Sequence, residues 1–206
     1  NWGAPFADQA AIVNAQSGGI LNYPLRKFVP TQIKIRYPGL FPDLPDSLEY
    51  RGYDSSGLIV LSEKNTFNRA RSVGKVKNLE KNLNERSNKI KGNIGIAHTR
   101  WATHGEPSDR NAHPHLSNNG RLSMLHNGII ENYQELKKKY KLKPKSETDS
   151  EVLAGVIDHY TKKKLSLREA TTRALSECHG TYGVLIIAPE VESNTLIAAR
   201  TGSPLV

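Results

Sequence analysis

The chain has 206 residues, of which 37% are hydrophobic, and its 29 lysines and arginines outnumber 20 aspartates and glutamates for a net charge of +9. That length suits one domain with a sizeable core. No run approaches the roughly 18–20 apolar residues of a membrane span, and a single cysteine, Cys178, excludes an internal disulfide.

The first residues carry neither a basic region nor a long apolar run, so no signal peptide is expected. With one cysteine, a reducing, cytoplasmic setting is the expectation. The lysines cluster only briefly, at 137–139 and 162–164, where helices are predicted to end. Without interleaved aromatic residues, these clusters read as solvated faces and not as a nucleic-acid surface.

Residues 1–46 differ from the rest: Pro5, Pro24, Pro30, Pro38, Pro42 and Pro45 break helices and central strands. Residues 32–37 alternate apolar and polar side chains and predict an edge strand, with loop around them. From Ser47 the pattern is orderly. Residues 57–61 form a short apolar strand, and 78–91 a polar helix around Leu79, Leu83 and Ile90. Residues 94–98 are a buried strand, and 122–126 another that ends at an Asn127-Gly128 turn. Residues 132–139 are helical. Ser146 to Glu151 supplies cap residues and early acids for a helix carrying Val152, Leu153, Val156 and Ile157. Ser166 and Glu169 repeat that start for a helix reaching Cys178, with Gly180 as its stop. Residues 182–188 and 195–199 pair as a hairpin. Consecutive helices followed by a hairpin favour antiparallel sheet with helices outside it.

Three segments carry a resemblance. They are Leu48-Glu49-Tyr50-Arg51-Gly52-Tyr53-Asp54-Ser55-Ser56-Gly57; Gly95 to Pro107, which includes His98-Thr99-Arg100-Trp101-Ala102-Thr103-His104-Gly105, continued by Asn111-Ala112-His113-Pro114-His115; and His126-Asn127-Gly128-Ile129-Ile130-Glu131-Asn132 with Ser146-Glu147-Thr148-Asp149-Ser150-Glu151. Over residues 47–206 the chain resembles the class II (N-terminal nucleophile) glutamine amidotransferases. Within that class it is similar to the glutaminase domains of the glutamine–fructose-6-phosphate aminotransferase family. The resemblance implies an α+β fold, the N-terminal nucleophile hydrolase-like αββα sandwich of antiparallel sheets. It implies glutamine hydrolysis that feeds ammonia to a sugar isomerase domain or subunit, with glutamine or glutamate bound and no cofactor. It leaves self-association open.

The same resemblance assigns roles. Hydrolysing an amide needs a nucleophile, an oxyanion hole and a grip on the amino acid's charges. The family uses an N-terminal cysteine whose own α-amine is the base. Asn127 and Gly128 match the oxyanion hole, which an Asn side-chain amide and a Gly N–H can form together. Arg100 matches the residue holding the substrate α-carboxylate, and a guanidinium fork suits that group. Asp149 matches the partner of the α-ammonium, and it also fits a plain helix-start acid. Trp101, Thr103 and His104 match pocket residues, and Arg51 matches a neighbour of the catalytic cysteine.

His98, His104, His113, His115 and His126 lack zinc-ligand spacing and cysteine partners, so no metal site is expected. Cys178 reads as a small buried hydrophobe and not as a nucleophile. The segment 1–46 shows no resemblance and contains no cysteine. The expectation is a fold whose first strand is missing or replaced, with unpaired backbone and apolar surface where it belonged. A polypeptide with little or no glutaminase activity, lacking the isomerase domain, is also expected. A non-catalytic glutamine- or glutamate-binding scaffold module is the alternative.

Overall fold

In a computed structural model, the structure describes residues 9–13, 54–62, 64–85, 94–193 and 195–202. The strands are β1 (Gln9–Val13), β2 (Ser55–Leu61), β3 (Phe67–Val73), β4 (Ile94–Arg100), β5 (His115–Leu116), β6 (Ser123–Ile130), β7 (Gly180–Ile187) and β8 (Leu196–Thr201). The helices are α1 (Val76–Glu85), α2 (Tyr133–Lys139), α3 (Asp149–Thr161) and α4 (Leu167–Leu175). One sheet runs in the order β1-β4-β2-β3 and the other β5-β6-β7-β8. The strand pairs within each sheet are antiparallel.

Successive strand residues point to opposite faces, and that alternation builds the layers. Leu58 and Val60 of β2 join Ala70 and the α1 residues Leu79 and Leu83 in one cluster. Their neighbours Ile59 and Leu61 turn the other way and meet Ile96, Leu125, Leu185 and Ile187 between the sheets. Met124, Val184 and Ile186 face outward from the second sheet, onto Val152, Val156 and Ile157 of α3 and Ala170 and Ala174 of α4. The result is helix, sheet, sheet, helix: the αββα sandwich of antiparallel sheets expected from the sequence. None of the described helices is long and apolar enough to cross a membrane.

Helix starts follow local chemistry. Thr148 caps α3 by accepting from the Glu151 backbone N–H. Ser166 and Glu169 form a reciprocal capping box at α4. The lysine cluster 137–139 occupies the last turn of α2, and 162–164 follows α3, where cations complement the carbonyl ends. Lys139 pairs with Glu177, and Lys162 reaches the buried carboxylate of Asp158.

Four elements depart from the sequence reading. Residues 9–13, assigned to loop because of nearby prolines, form β1 and pair with β4 over Gln9↔Thr99 to Val13↔Gly95. The stretch between Pro5 and Pro24 contains no proline, and the β-branched Ile12 and Val13 suit a strand. β1 therefore fills the sheet edge where unpaired backbone was expected. β3 went unread, because Arg69 and Arg71 obscure its pattern. Asn127-Gly128 is not a turn: β6 runs through it, pairing Asn127 with Gly183 and Gly128 with Tyr182. A φ of 121° at Gly128, open only to glycine, distorts the strand locally without ending it. Gly180 opens β7, while α4 has already ended at Leu175. The segments 32–37 and 86–91 lie outside the described residues.

One close approach ties the first sheet to the loop before β5. A Cβ built on Gly57 would lie 2.1 Å from the His113 carbonyl oxygen and 2.9 Å from Arg71 Cγ. The backbone oxygen has no soft route away, so Gly57→Ala should destabilise the domain by about 3 kcal/mol or more. A loss of that size in the urea-unfolding free energy is the expected result, and an unchanged value would refute the packing argument.

Candidate functional site

β4 and β6 deliver the candidate residues from opposite sheets. On β4, Ile96 faces the second sheet, so period-two alternation puts His98 and Arg100 on that same face. On β6, Leu125 faces the first sheet and Asn127 follows it. The two faces meet where His98 Nε2 lies 2.7 Å from Asn127 Oδ1, a buried bond between the sheets.

Arg100 ends β4 and is buried. Its Nη2 donates to the carbonyl oxygens of His104 and Gly105, the latter at 3.2 Å, so the guanidinium draws residues 101–105 around itself. Asp54 anchors the same loop: its Oδ2 accepts from the Ala102 N–H at 2.7 Å, and its own N–H donates to the Arg100 carbonyl. Trp101 stands 37% exposed on this loop, and Thr103 is exposed. The half-buried His104 ring sits 5.2 Å from that of Tyr133, edge on.

Asp149, the first residue of α3, is only 3% exposed. Its Oδ2 accepts from the Ile130 N–H at 2.8 Å and its Oδ1 from the Ser150 N–H at 2.9 Å. The helix start favours a carboxylate there. The first of these bonds fastens α3 to the end of β6, beyond Asn127 and Gly128. The Asn127 amide Nδ2 is buried with no hydrogen-bond partner among the described residues. Such donors are costly unless a ligand completes them.

Behind these groups lies a buried histidine cluster. The His98 and His113 rings are 4.4 Å apart, and those of His113 and His115 are 4.6 Å apart. Ser150 Oγ joins His113 Nε2 at 2.9 Å to His126 Nδ1 at 3.0 Å, and Thr148 Oγ1 meets His115 Nε2 at 3.1 Å. His126 Nδ1 also lies 3.8 Å from the Asp149 carboxylate. Burial holds the imidazole of His98 down at about 3 and pushes those of His113 and His115 well below their ordinary value. His126 is lowered by burial as well, against the opposing pull of Asp149. The rings thus pack against one another, tilted or edge on, and spend nitrogens on Asn127, Ser150 and Thr148. Among the described residues no three His, Cys, Asp or Glu side chains are grouped to hold a metal ion.

Arg100 thus ends β4, Asn127 and Gly128 lie in the second half of β6 and Asp149 opens α3; the His98–Asn127 and Asp149–Ile130 bonds tie these elements together, with Trp101, Thr103 and His104 on the loop after β4. Arg51 lies outside the described residues. Sequence reading passed over Asp54, Ser150 and Asn111. Asn111 holds the Glu106 carbonyl and Glu147, fixing the loop to the start of α3. His98 was weighed there only as a metal ligand. Cys178 packs half-buried against the core on the helix side, donates to the Ala174 carbonyl, and has its thiol pushed up to about 12 by burial.

A family model described as a glutamine amidotransferase domain matches residues 98–204, more than half of the chain. Curated relatives are the isomerizing glutamine–fructose-6-phosphate aminotransferases of Escherichia coli K12 and Clostridium acetobutylicum, 47% and 46% identical over 162 residues, and that of Clostridium perfringens, 48% identical over 164. In each case the match covers 77% of this chain and 26% of the relative, so the chain spans about a quarter of the length of these relatives. Among solved structures, glutamine phosphoribosylpyrophosphate amidotransferase from B. subtilis, complexed with ADP and GMP, superposes with a TM-score of 0.62 at 25% identity. An allosteric regulatory enzyme of purine biosynthesis superposes with a TM-score of 0.63 at 28% identity. Each superposition covers 75% of this chain and 32% of the other. The sandwich is the N-terminal nucleophile hydrolase-like fold of class II amidotransferases. The chain belongs to the glutamine amidotransferase domain family, with the glutaminase-domain sequence of the glutamine–fructose-6-phosphate aminotransferases.

Proposed function

We propose that this domain binds glutamine and is the glutaminase part of an enzyme that makes glucosamine 6-phosphate. Arg100 holds the α-carboxylate and Asp149 the α-ammonium. The Asn127 side-chain amide and the Gly128 N–H receive the oxygen of the side-chain amide. Trp101, Thr103 and His104 line the pocket, and the resemblance assigns Arg51 a role beside the attacking group. In the full reaction a thiolate attacks the amide carbon, the two donors stabilise the developing oxyanion, the nitrogen takes a proton and leaves as ammonia, and water then hydrolyses the thioester to glutamate and frees the thiolate. A cytoplasmic sugar isomerase domain or subunit then uses that ammonia on fructose 6-phosphate. No cofactor takes part in this reading. The observation that carries it is the buried Nδ2 of Asn127, without a partner among the described residues, on the strand that Asp149 clasps at Ile130.

For turnover the sequence offers one thiol, Cys178. It is turned toward the Ala174 carbonyl, and burial holds it in the unreactive protonated form. The domain should accordingly bind glutamine while hydrolysing little or none. A binding or scaffold module is the second reading, favoured by the burial and orientation of Cys178. Calorimetry with L-glutamine and L-glutamate, run beside an assay for released glutamate, separates the cases. Binding without turnover is the expected result. Turnover above a protein-free control would overturn the inactivity, and no heat with either amino acid would overturn the binding site.

A further inference from the structure

We propose that His98 is a positioning residue for the oxyanion donor: its Nε2–H holds Asn127 Oδ1 and so turns the Asn127 Nδ2 donors toward the bound side-chain amide. The inference deepens the glutamine-binding reading and rests on it.

An Asn amide is nearly symmetric in shape, so its surroundings must decide which end faces a ligand. Here the deciding neighbour is one imidazole on the opposite sheet, 2.7 Å from Oδ1. Neutral imidazole has one donor and one acceptor nitrogen. With the proton on Nε2, that nitrogen donates to Oδ1, and the buried Nδ1, which has no partner among the described residues, is left as a bare acceptor. With the proton on Nδ1, a buried N–H has nothing to bind, and Nε2 must take a bond from Asn127 Nδ2. The amide would then be reversed, presenting an oxygen where an oxyanion has to sit. Leaving a buried acceptor unfilled is milder than burying an orphaned N–H. The doubly protonated ring is disfavoured by burial, and further by the charge of Arg100 two residues along the same face and by His126. The Nε2–H form wins on each count, and it leaves both Nδ2 hydrogens buried and pointing away from His98.

Two measurements on the whole chain test this. Long-range ¹H–¹⁵N correlation spectra should show His98 protonated at Nε2 and bare at Nδ1; a proton on Nδ1 would overturn the proposal. In calorimetry with L-glutamate, His98→Leu should lose about tenfold or more in affinity. His98→Gln, whose terminal N–H can reach the Nε2 position, should recover most of it, with thermal unfolding confirming that both variants fold. Wild-type affinity in His98→Leu, or equal losses in two folded variants, would also overturn the proposal. If wild-type protein binds no glutamate, the glutamine-binding reading falls, and the proposal that rests on it falls as well; the spectra then still report which way the Asn127 amide faces.

Discussion

Asp149→Asn should reduce the affinity of this domain for glutamine or glutamate by about 30-fold or more, a loss typical of removing one member of a buried charge pair. An α-ammonium needs an anion, and a carboxamide offers only a dipole. Asp149 is also committed on its protein side, with one oxygen accepting from Ile130 and the other from Ser150. An Asn at this position must turn its NH₂ toward one of those two N–H groups, donor against donor. The variant should therefore also lose about 1–3 kcal/mol of stability. Calorimetry and urea unfolding on the same sample keep the two effects apart. Glu190→Gln, an exposed carboxylate paired with Arg121, is the control and should leave both readings unchanged. A folded Asp149→Asn protein that binds within about threefold of wild type would remove Asp149 from the binding site.

Strands buried on both faces were legible because their apolar runs are unbroken: β2 reads Leu58-Ile59-Val60-Leu61 and β7 Val184-Leu185-Ile186-Ile187. The starts of α3 and α4 were legible because caps are local chemistry. β3 was not, since Ala70 is its one buried side chain and two arginines lie beside it. The Asn127-Gly128 pair is a strong turn signal, but it lost to a register of eight residue pairs with β7 that no local pattern shows.

The site divides in the same way. Arg100, Asn127 and Asp149 were singled out because the resemblance assigns each a role, whereas it assigns none to His98, Asp54 or Ser150, which lie in the same segments. His98, Asp54 and Ser150 act through bonds that span the fold: 29 residues from His98 to Asn127, 48 from Asp54 to Ala102, and 37 from Ser150 to His113. Side chains that position others across sheets leave no periodic trace along the chain. They become visible only once β4, β6 and α3 are placed together.

Mild acid should destabilise this domain well before its carboxylates titrate. Burial keeps His98, His113 and His115 neutral in the folded state, while the unfolded chain returns them to about 6.5. Their folded values are lowered, so the unfolded state binds more protons, and stability must fall as pH falls. The contribution is intact above pH 6.5 and is lost below it, continuing for His98 down to about 3. Between pH 6.5 and 5.5 each such ring costs about 1 kcal/mol, or about 3 kcal/mol for the three together. That is a large share of the roughly 5–15 kcal/mol typical of a domain. The window separates this effect from that of Glu177, whose carboxyl is drawn down to about 2, against a burial penalty, by hydrogen bonds from Lys139, Tyr140 and Tyr160. Its loss begins only below about 4.5. Urea unfolding from pH 8 to 5 gives the slope directly. His115→Gln can still meet Thr148 Oγ1 and should lower the slope by about one proton, whatever it does to absolute stability. A stability that stays level from pH 7 to 5.5 would mean that these rings are charged or solvated in the folded protein, and the buried cluster behind Asn127 and Asp149 would have to be abandoned.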